Sequence, residues 1–303
     1  MPSWMIWTMI GLSILVAAFI GFMVYQTQKD NKHVSYKPIY VTNHLEGGLG
    51  NQMFQVAHGY GIARKYNKQF VMDRSVTKVF ENRGVYWDTV FQSISDFPTP
   101  RPSFKEVTES SFTYEDKPEP VTSTQYKGYF QSPLYFNDYR EDIIDLFTKG
   151  RIEHITLFDD PNEDYKCPTV SLHVRRTDYV QHSDFHTNQG TNYYKEAIQV
   201  IQDRLNVNRL EIIIFSDDPE WCREQLISEF EPHVVSVKDR GKDYEDLYRM
   251  SLCDHHIIAN SSFSWWGSYL DRKDGITVAP KNWFEDETID WSTIYMPHWV
   301  IIG

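Results

Sequence analysis

Two consecutive arginines, Arg175 and Arg176, directly follow an apolar run at residues 169–174. Two guanidinium groups at the end of a buried strand are costly to place unless an anion or a carboxylate lies beside them. Arginine binds a diphosphate through paired hydrogen bonds and can neutralise a departing nucleoside diphosphate. The pair therefore predicts a diphosphate site, and an internal arginine–aspartate salt bridge is the alternative. Asp178 could orient one arginine or take part in proton transfer, whereas His173 alone would more often be a hydrogen-bonded structural residue.

Two carboxylates, Asp217 and Asp218, follow another apolar run at residues 211–215. A carboxylate at a strand end can accept hydrogen bonds from ribose hydroxyls or from the N1–H and exocyclic amine of guanine. Asp218 lies just before Pro219, which is equally typical of a residue that caps the start of a helix. We therefore assign Asp217 to a ligand and Asp218 to the cap.

The glycine-rich stretch at residues 46–52 lies between a predicted strand and a predicted helix. Its glycines let the backbone approach a ligand closely, and the free N–H groups of the following helix favour an anion. Gly48, Asn51 and Gln52 are the candidate contacts. The stretch is not a P-loop, because no Gly-Lys-Ser/Thr follows, and a tight structural turn explains it about as well.

Asn260, Ser261 and Ser262 form a third turn, which opens a predicted helix. Their hydroxyls and N–H groups would make a phosphate cradle. The same three residues form a glycosylation sequon, but the apolar strand before them and the helix after them predict burial instead. We expect Trp265 and Trp266, which follow, to serve in packing.

The elements that position these turns alternate regularly after residue 169. Apolar strands that alternate with helices predict a parallel sheet covered on both faces, in which ligands bind at the carboxyl ends of strands. The predicted strands are residues 169–174, 211–215, 233–237, 256–259 and 276–279, and the predicted helices are 192–205, 219–229, 244–253 and 263–270.

The first half of the chain begins with a similar unit. We predict a strand at residues 39–42, a helix at 51–66 and a strand at 69–73. Residues 80–127 contain several prolines and show weak periodicity, which indicates short elements and loops. A helix is predicted at residues 132–149, with Pro133 in its first turn.

The N-terminus carries an uncharged run from Trp4 to Tyr25 that is long enough to span a bilayer. A cleaved signal peptide would have a basic start and a shorter apolar region, so a retained anchor is favoured. The lysines after the run, Lys29, Lys32 and Lys37, would by themselves place the body of the protein in the cytosol.

The composition excludes some classes of partner. The net charge of −12 and pI near 5.4 make binding to nucleic acid a poor expectation, so phosphate binding must be local. Cys167, Cys222 and Cys253 show no metal-ligand spacing, and we interpret them as buried thiols rather than as a disulfide framework.

Together these segments resemble the α-1,2-fucosyltransferases of glycosyltransferase family 11. The pattern HxRRxD at residues 173–178 is also found in α-1,6- and protein O-fucosyltransferases. Its combination with GGLGNQMFQ, GYFQSPLYF, FSDD and NSSFSWWG points to the α-1,2 family. The similarity runs from about residue 39 to the C-terminus. One departure is Thr177, where the family commonly has glycine.

The resemblance implies a GT-B-like α/β fold, with two Rossmann-like domains of parallel sheets and one preceding transmembrane helix. The expected parts are an anchor and short stem at residues 1–37, an acceptor-side domain at 38–163 and a GDP-fucose-binding domain at 164–303. By the same resemblance, Arg175 would bind the diphosphate with Ser261 and Ser262, and His173 and Asp217 would contact the nucleoside. Asn51 would reach the cleft from the opposite side.

The implied reaction is the inverting, metal-independent transfer of L-fucose from GDP-fucose to the 2-hydroxyl of a terminal β-galactoside, without a cofactor. Asp178 and His44 are the candidates for a base, and the sequence does not choose between them. Two alternatives stay open: a GDP-fucose-dependent transferase of other linkage or acceptor, and a membrane-tethered protein that binds glycans without turnover. The anchor and the resemblance together suggest a Golgi type II membrane protein, against the charge bias of the lysines.

Overall fold

Two parallel β-sheets organise the chain from Ile39 onward. The computed structural model describes residues 2, 16–23, 37–79, 83–97, 103–157, 167–176, 189–239 and 241–303. The chain separates into two units, Met1–Pro38 and Ile39–Gly303, and both sheets belong to the second unit. The predicted parallel α/β class is therefore confirmed. The two sheets lie on either side of the predicted domain boundary at residues 163 and 164, and the division into two domains stays a prediction.

In the first unit, residues 16–23 form an exposed helical segment that includes Phe19, Ile20 and Phe22. Within the described residues, no helix combines the length and the apolar character that a bilayer crossing requires. Most of the predicted span from Trp4 to Tyr25 lies outside the described residues.

The first sheet is built around a strand–helix–strand unit, as predicted. Helix α1 (Leu49–Lys65) connects strands β1 (Tyr40–Asn43) and β2 (Gln69–Phe70). Strands β5 (Lys105–Thr108) and β6 (Thr124–Lys127) complete a parallel sheet in the order β2-β1-β6-β5. A short antiparallel pair, β3 (Lys78–Val79) and β4 (Arg83–Gly84), and helix α2 (Arg140–Thr148) lie outside this sheet.

The second sheet has six parallel strands in the order β12-β11-β10-β7-β8-β9. All six residues of β7 are buried, as expected for a strand covered on both faces. The strands are β7 (Thr169–Val174), β8 (Glu211–Ser216), β9 (Val234–Val237), β10 (His255–Ile257), β11 (Thr277–Pro280) and β12 (Val300–Ile302). The helices are α3 (Thr191–Leu205), α4 (Pro219–Gln225), α5 (Asp243–Leu252) and α6 (Ser262–Tyr269).

The predicted helix at residues 132–149 is wrong in its first half. Two 3₁₀ turns, Pro133–Tyr135 and Asn137–Tyr139, precede α2, and Phe136 lies between them with a non-helical φ of −145° and ψ of −5°. The buried Phe136 ring stacks on Trp266 at 5.5 Å between ring centroids. The chain therefore leaves the helical path where this ring enters the core.

One hydrophobic core contacts both sheets. Phe54 of α1 lies 4.5 Å from Trp265 and 5.0 Å from Trp266 of α6, measured between ring centroids. The indole N–H of Trp266 donates to the Gly50 carbonyl at 3.0 Å, and that of Trp265 donates to the Ile294 carbonyl at 2.7 Å. The predicted packing role of the two tryptophans is confirmed. Because these contacts join α1 to α6, they fix the turns at the starts of both helices relative to each other.

Candidate active site

The arginine pair lies at the carboxyl edge of the second sheet, where its position follows from the strand register. Val174 of β7 lies opposite Ser216 of β8, so the next residue of each strand, Arg175 and Asp217, are neighbours. The Arg175 Nη1 atom lies 3.2 Å from the Asp217 Oδ2 atom, and the Asp217 side chain is only 8% exposed. An arginine–aspartate salt bridge is therefore present, with Asp217 as the partner.

Arg176 contacts three neighbouring residues of the second sheet's carboxyl edge. Its backbone N–H donates to Asp217 Oδ1 at 2.9 Å, its Nε lies 3.3 Å from Asp218 Oδ2, and its guanidinium lies 3.8 Å from the Trp221 ring centroid. Asp218 also accepts from the Trp221 N–H at 3.3 Å and caps α4, as predicted. The salt bridge and the cation–π contact suit Arg176 to a supporting role.

The strand residue His173 is buried, and its ring lies 5.5 Å from that of Phe263 at the start of α6. It therefore links β7 to the third turn. Its contact with a nucleoside stays a prediction, as does that of Asp217.

The glycine-rich turn adopts the geometry that its sequence suggests. Gly47 has a φ of +77°, and Gly48 occupies the cap position before α1. Gln52 is fully buried, and its Nε2 donates to the carbonyls of Gly47 and Gly84 at 3.0 Å each. Gln52 thus stabilises the turn through these two hydrogen bonds.

In the third turn, Asn260 and Ser261 are buried, which agrees with the prediction that the sequon is packed. Asn260 Nδ2 donates to the Trp283 carbonyl at 2.9 Å. Ser261 occupies the cap position of α6, and Ser262 is its first residue. This turn therefore presents the N-terminus of an eight-residue helix at the sheet edge, the geometry that favours an anion.

The first and third turns meet directly. The Ser262 hydroxyl donates to Asn51 Oδ1 at 2.6 Å, and Gln131 Nε2 donates to the same oxygen at 2.8 Å. A β-carbon added to Gly50 would lie 2.5 Å from the Ser262 backbone carbon and 2.6 Å from the Phe263 nitrogen, so only glycine permits this approach. The two sheets thus bring their carboxyl-edge loops to one place.

The orientation of the Asn51 amide follows from these bonds. Two donors hold its oxygen, which leaves the two N–H groups of Nδ2 on the opposite side, and Nδ2 has no hydrogen bond to any residue within the described ranges. Asn51 is half-buried. It is therefore a fixed donor, available to a ligand between the two turns.

Sequence reasoning missed Glu109, which follows β5 at the carboxyl edge of the first sheet. Its two carboxylate oxygens accept from the N–H groups of Tyr129 and Phe130 at 2.7 and 2.9 Å. Burial raises the pKa of the Glu109 carboxyl to about 7. The strand before it reads Lys-Glu-Val-Thr, without an apolar pattern that would have indicated a strand end. Sequence reasoning also missed the role of Gln131, which lies in the motif GYFQSPLYF. Its hydrogen bond joins it to Asn51, 80 positions earlier in the chain, so no local pattern indicates it.

The two candidate bases have different outcomes. His44 follows β1 and is exposed, and its backbone N–H donates to the Tyr126 carbonyl at 2.8 Å. Asp178 lies outside the described residues, together with Thr177. The role of each as a base stays a prediction.

Neither metal ligands nor cavity size helps to define the site. Within the described ranges, no group of three His, Cys, Asp or Glu side chains could hold a metal ion. A cavity of about 350 Å³ lies towards the other end of α1, so cavity size does not identify the site. The cavity is lined by Tyr60, Ala63, Arg64, Lys68, Gln69, Phe70 and Phe97.

The three cysteines, Cys167, Cys222 and Cys253, are free thiols. Cys222 and Cys253 are buried as predicted, whereas Cys167 is only half-buried.

The described residues form an α/β fold in which loops at the carboxyl edges of two parallel sheets meet at the candidate site. The family model described as "Glycosyl transferase family 11" matches residues 109–303. The chain belongs to this glycosyltransferase family, and the family predicted from its motifs is confirmed.

This chain is similar to the following relatives and solved structure. An α-1,2-colitosyltransferase from Escherichia coli is 30% identical over 282 residues, which cover 82% of this chain and 94% of that protein. A galactoside α-(1,2)-fucosyltransferase 1 from Lagothrix lagotricha is 25% identical, with 86% of this chain and 74% of that protein covered. Among solved structures, fucosyltransferase NodZ from Bradyrhizobium is 13% identical with a TM-score of 0.44, covering 78% of this chain and 94% of that one.

Proposed function

We propose that this protein transfers L-fucose from GDP-fucose to the 2-hydroxyl of a terminal β-galactoside, with inversion and without a metal ion. The observation that carries the proposal is the meeting of Asn51 and Ser262 between the two sheets, beside the strand edge that holds Arg175. This arrangement suits a donor diphosphate on the second sheet and an acceptor on the first. The relative named a galactoside α-(1,2)-fucosyltransferase supports the linkage and the acceptor.

In this mechanism, Arg175 stabilises the leaving diphosphate. Its side chain is 30% exposed and pairs with Asp217, so a phosphate oxygen would approach it from the solvent side. Fucose would leave through an oxocarbenium-like transition state, in which stabilising the leaving group matters more than a strong nucleophile. Ser261, Ser262 and the start of α6 would receive the phosphate charge, and Asn51 would donate from the opposite side.

The acceptor hydroxyl loses its proton as the new bond forms, and His44 or Asp178 would accept it. His44 is exposed at the end of β1, on the acceptor side of the site. A GT-B-like arrangement of two domains, each with one sheet, would place the donor and acceptor on opposite walls of a cleft.

A second candidate differs in the donor sugar. The 30% identical relative is named an α-1,2-colitosyltransferase, which favours a colitosyl donor for the same site and linkage. A panel that offers nucleotide-activated fucose and colitose to the same acceptor decides between the two. A donor preference for colitose would contradict the fucosyl assignment but leave the site intact.

The test of the proposal uses a chain shortened to residues 39–303. We expect GDP release from GDP-fucose that depends on lactose and persists in EDTA, and product NMR that shows an α-1,2 linkage. Arg175→Ala should lower kcat/KM by about 10²–10³-fold, the effect of losing one donor to a developing charge. Arg272→Ala, an exposed arginine paired with Glu141 and Asp145, is the matched control and should leave the rate unchanged. GDP-fucose binding without release to any β-galactoside would favour the glycan-binding alternative.

We further propose that the run from Trp4 to Tyr25 anchors the protein in a membrane as a single-pass type II protein, in a Golgi setting. Its uncharged sequence supports this. In a vesicle flotation assay, the full chain should float with neutral liposomes and residues 39–303 should stay at the bottom. Equal behaviour of the two chains would contradict the anchor.

A further inference from the structure

Glu109 lies where it can control the loop that follows β6. Its carboxylate receives the N–H groups of two consecutive residues, Tyr129 and Phe130. Phe130 has a φ of +49°, a conformation that is costly for a non-glycine residue and persists only where its surroundings impose it. Gly128 has a φ of +148°, and an added β-carbon there would lie 2.4 Å from the Glu109 β-carbon. The loop is thus wrapped closely around this one side chain.

The same loop reaches the candidate active site with its next residue. Gln131 Nε2 donates to Asn51 Oδ1, the oxygen that also receives the Ser262 hydroxyl. Gln131 is buried, at 8% exposure, so its orientation depends on the backbone of residues 128–130. The order of contacts therefore runs from Glu109 through the loop to Gln131, and from there to Asn51.

We propose that Glu109 is a positioning residue that holds the loop at residues 128–131 so that Gln131 fixes the Asn51 amide toward the donor. The proposal rests on the proposed function. It assigns no proton transfer to Glu109, whose two carboxylate oxygens each accept a backbone N–H group.

The ionised carboxylate is the form that can accept both N–H groups. A protonated carboxyl would turn one oxygen into a donor and lose one of these bonds. Burial is the main cause that raises the Glu109 pKa to about 7; the nearby Glu115 raises it further, and Lys117 and the two N–H groups lower it. The Tyr135 hydroxyl is the other titratable group that senses this charge. Positioning should therefore weaken as the pH falls below about 7.

The experiment compares Glu109→Gln with Glu106→Gln, an exposed glutamate on the same strand. We expect Glu109→Gln to lower kcat/KM about tenfold at pH 8, because its amide can accept only one of the two N–H groups. The wild type should lose activity below pH 7 with an inflection that the Glu109→Gln variant lacks. Glu106→Gln should match the wild type at every pH.

A double-mutant cycle with Gln131→Ala separates positioning from general destabilisation. If Glu109 acts through Gln131, then Glu109→Gln should cost at most twofold in the Gln131→Ala background. Losses that multiply, or an inflection near pH 7 that survives in Glu109→Gln, would overturn the proposal. A wild type without turnover would instead contradict the proposed function, whereas an active wild type and an equally active Glu109→Gln variant would contradict only the positioning role.

Discussion

At the scale of single residues, the two adjacent arginines have different surroundings. Arg176 contacts Asp218 and the Trp221 ring, whereas Arg175 pairs with Asp217. The sequence suggested a diphosphate site or a salt bridge, and salt bridges are present at both arginines. Two residues that look equivalent in the sequence therefore have different neighbours in the structure.

We predict that replacing Arg176 lowers activity less than replacing Arg175. Arg176→Ala should lower the free energy of unfolding by about 1–2 kcal/mol, because it removes a cation–π contact and a half-exposed salt bridge. It should lower kcat/KM less than Arg175→Ala does. Urea unfolding and steady-state kinetics on both variants check this. Equal kinetic losses would show that both arginines contact the donor.

Contacts between residues that lie far apart in the chain could not be predicted from the sequence. Ser262 and Asn51 lie 211 positions apart, and no local pattern indicates that their side chains bond. The motifs located both residues at a helix start, which is where the structure has them. What was missing is the relative position of the two helices, and this depends on tertiary packing of rings such as Phe54 and Trp266.

At the scale of elements, the contact of α1 with α6 is the feature that joins the two halves of the site. The Gly50 backbone lies against the start of α6 without room for a β-carbon, and its carbonyl accepts from the Trp266 indole. Both helices begin at this contact, so their first residues lie close together. The short distance between the two helix starts therefore requires a residue without a β-carbon at position 50.

Gly50→Ala tests this spacing. The added methyl group should separate the helices, lower the free energy of unfolding by about 1–3 kcal/mol and lower turnover more than the loss of stability explains. Gly241→Ala is the matched control, because an added β-carbon there has nothing within 4 Å. Thermal unfolding and GDP release on both variants provide the measurement. An active, stable Gly50→Ala protein would mean that the close approach is dispensable.

The predicted elements of the second sheet agree with the structure within a few residues, because its strands are apolar runs bounded by polar turns. The strands β5 and β6 were not predicted, since Lys-Glu-Val-Thr and Thr-Gln-Tyr-Lys lack such runs. Their β-structure comes from pairing in the sheet, where β6 pairs with β1 and β5 pairs with β6. Tertiary pairing therefore decided the secondary structure of the stretch between residues 80 and 127.

At the scale of the whole molecule, the body at Ile39–Gly303 shares one core between its two sheets. The buried cluster that contains Phe54 and Phe136 also contains Trp265, Trp266 and Leu247. A second cluster packs within the second sheet around Val170 and Ile212. The first sheet thus has no core that is independent of residues from the second half.

Because of this shared core, we expect residues 39–303 to unfold in one cooperative transition. Calorimetric and van't Hoff enthalpies should agree, and fluorescence and far-UV circular dichroism should report the same midpoint. A separate earlier transition would show that the two sheets belong to independently stable domains. The full chain should give the same midpoint as the shortened one, since Met1–Pro38 is a separate unit.

The aromatic contact between α1 and α6 also limits how members of this family can be recombined. A chimaera that takes its first half from one relative and its second half from another would combine aromatic residues of two different proteins in this one cluster. Phe54, Phe136, Trp265 and Trp266 would have to be exchanged as one set, together with the glycine at position 50. Exchanging only the loops at the sheet edge would leave this cluster intact.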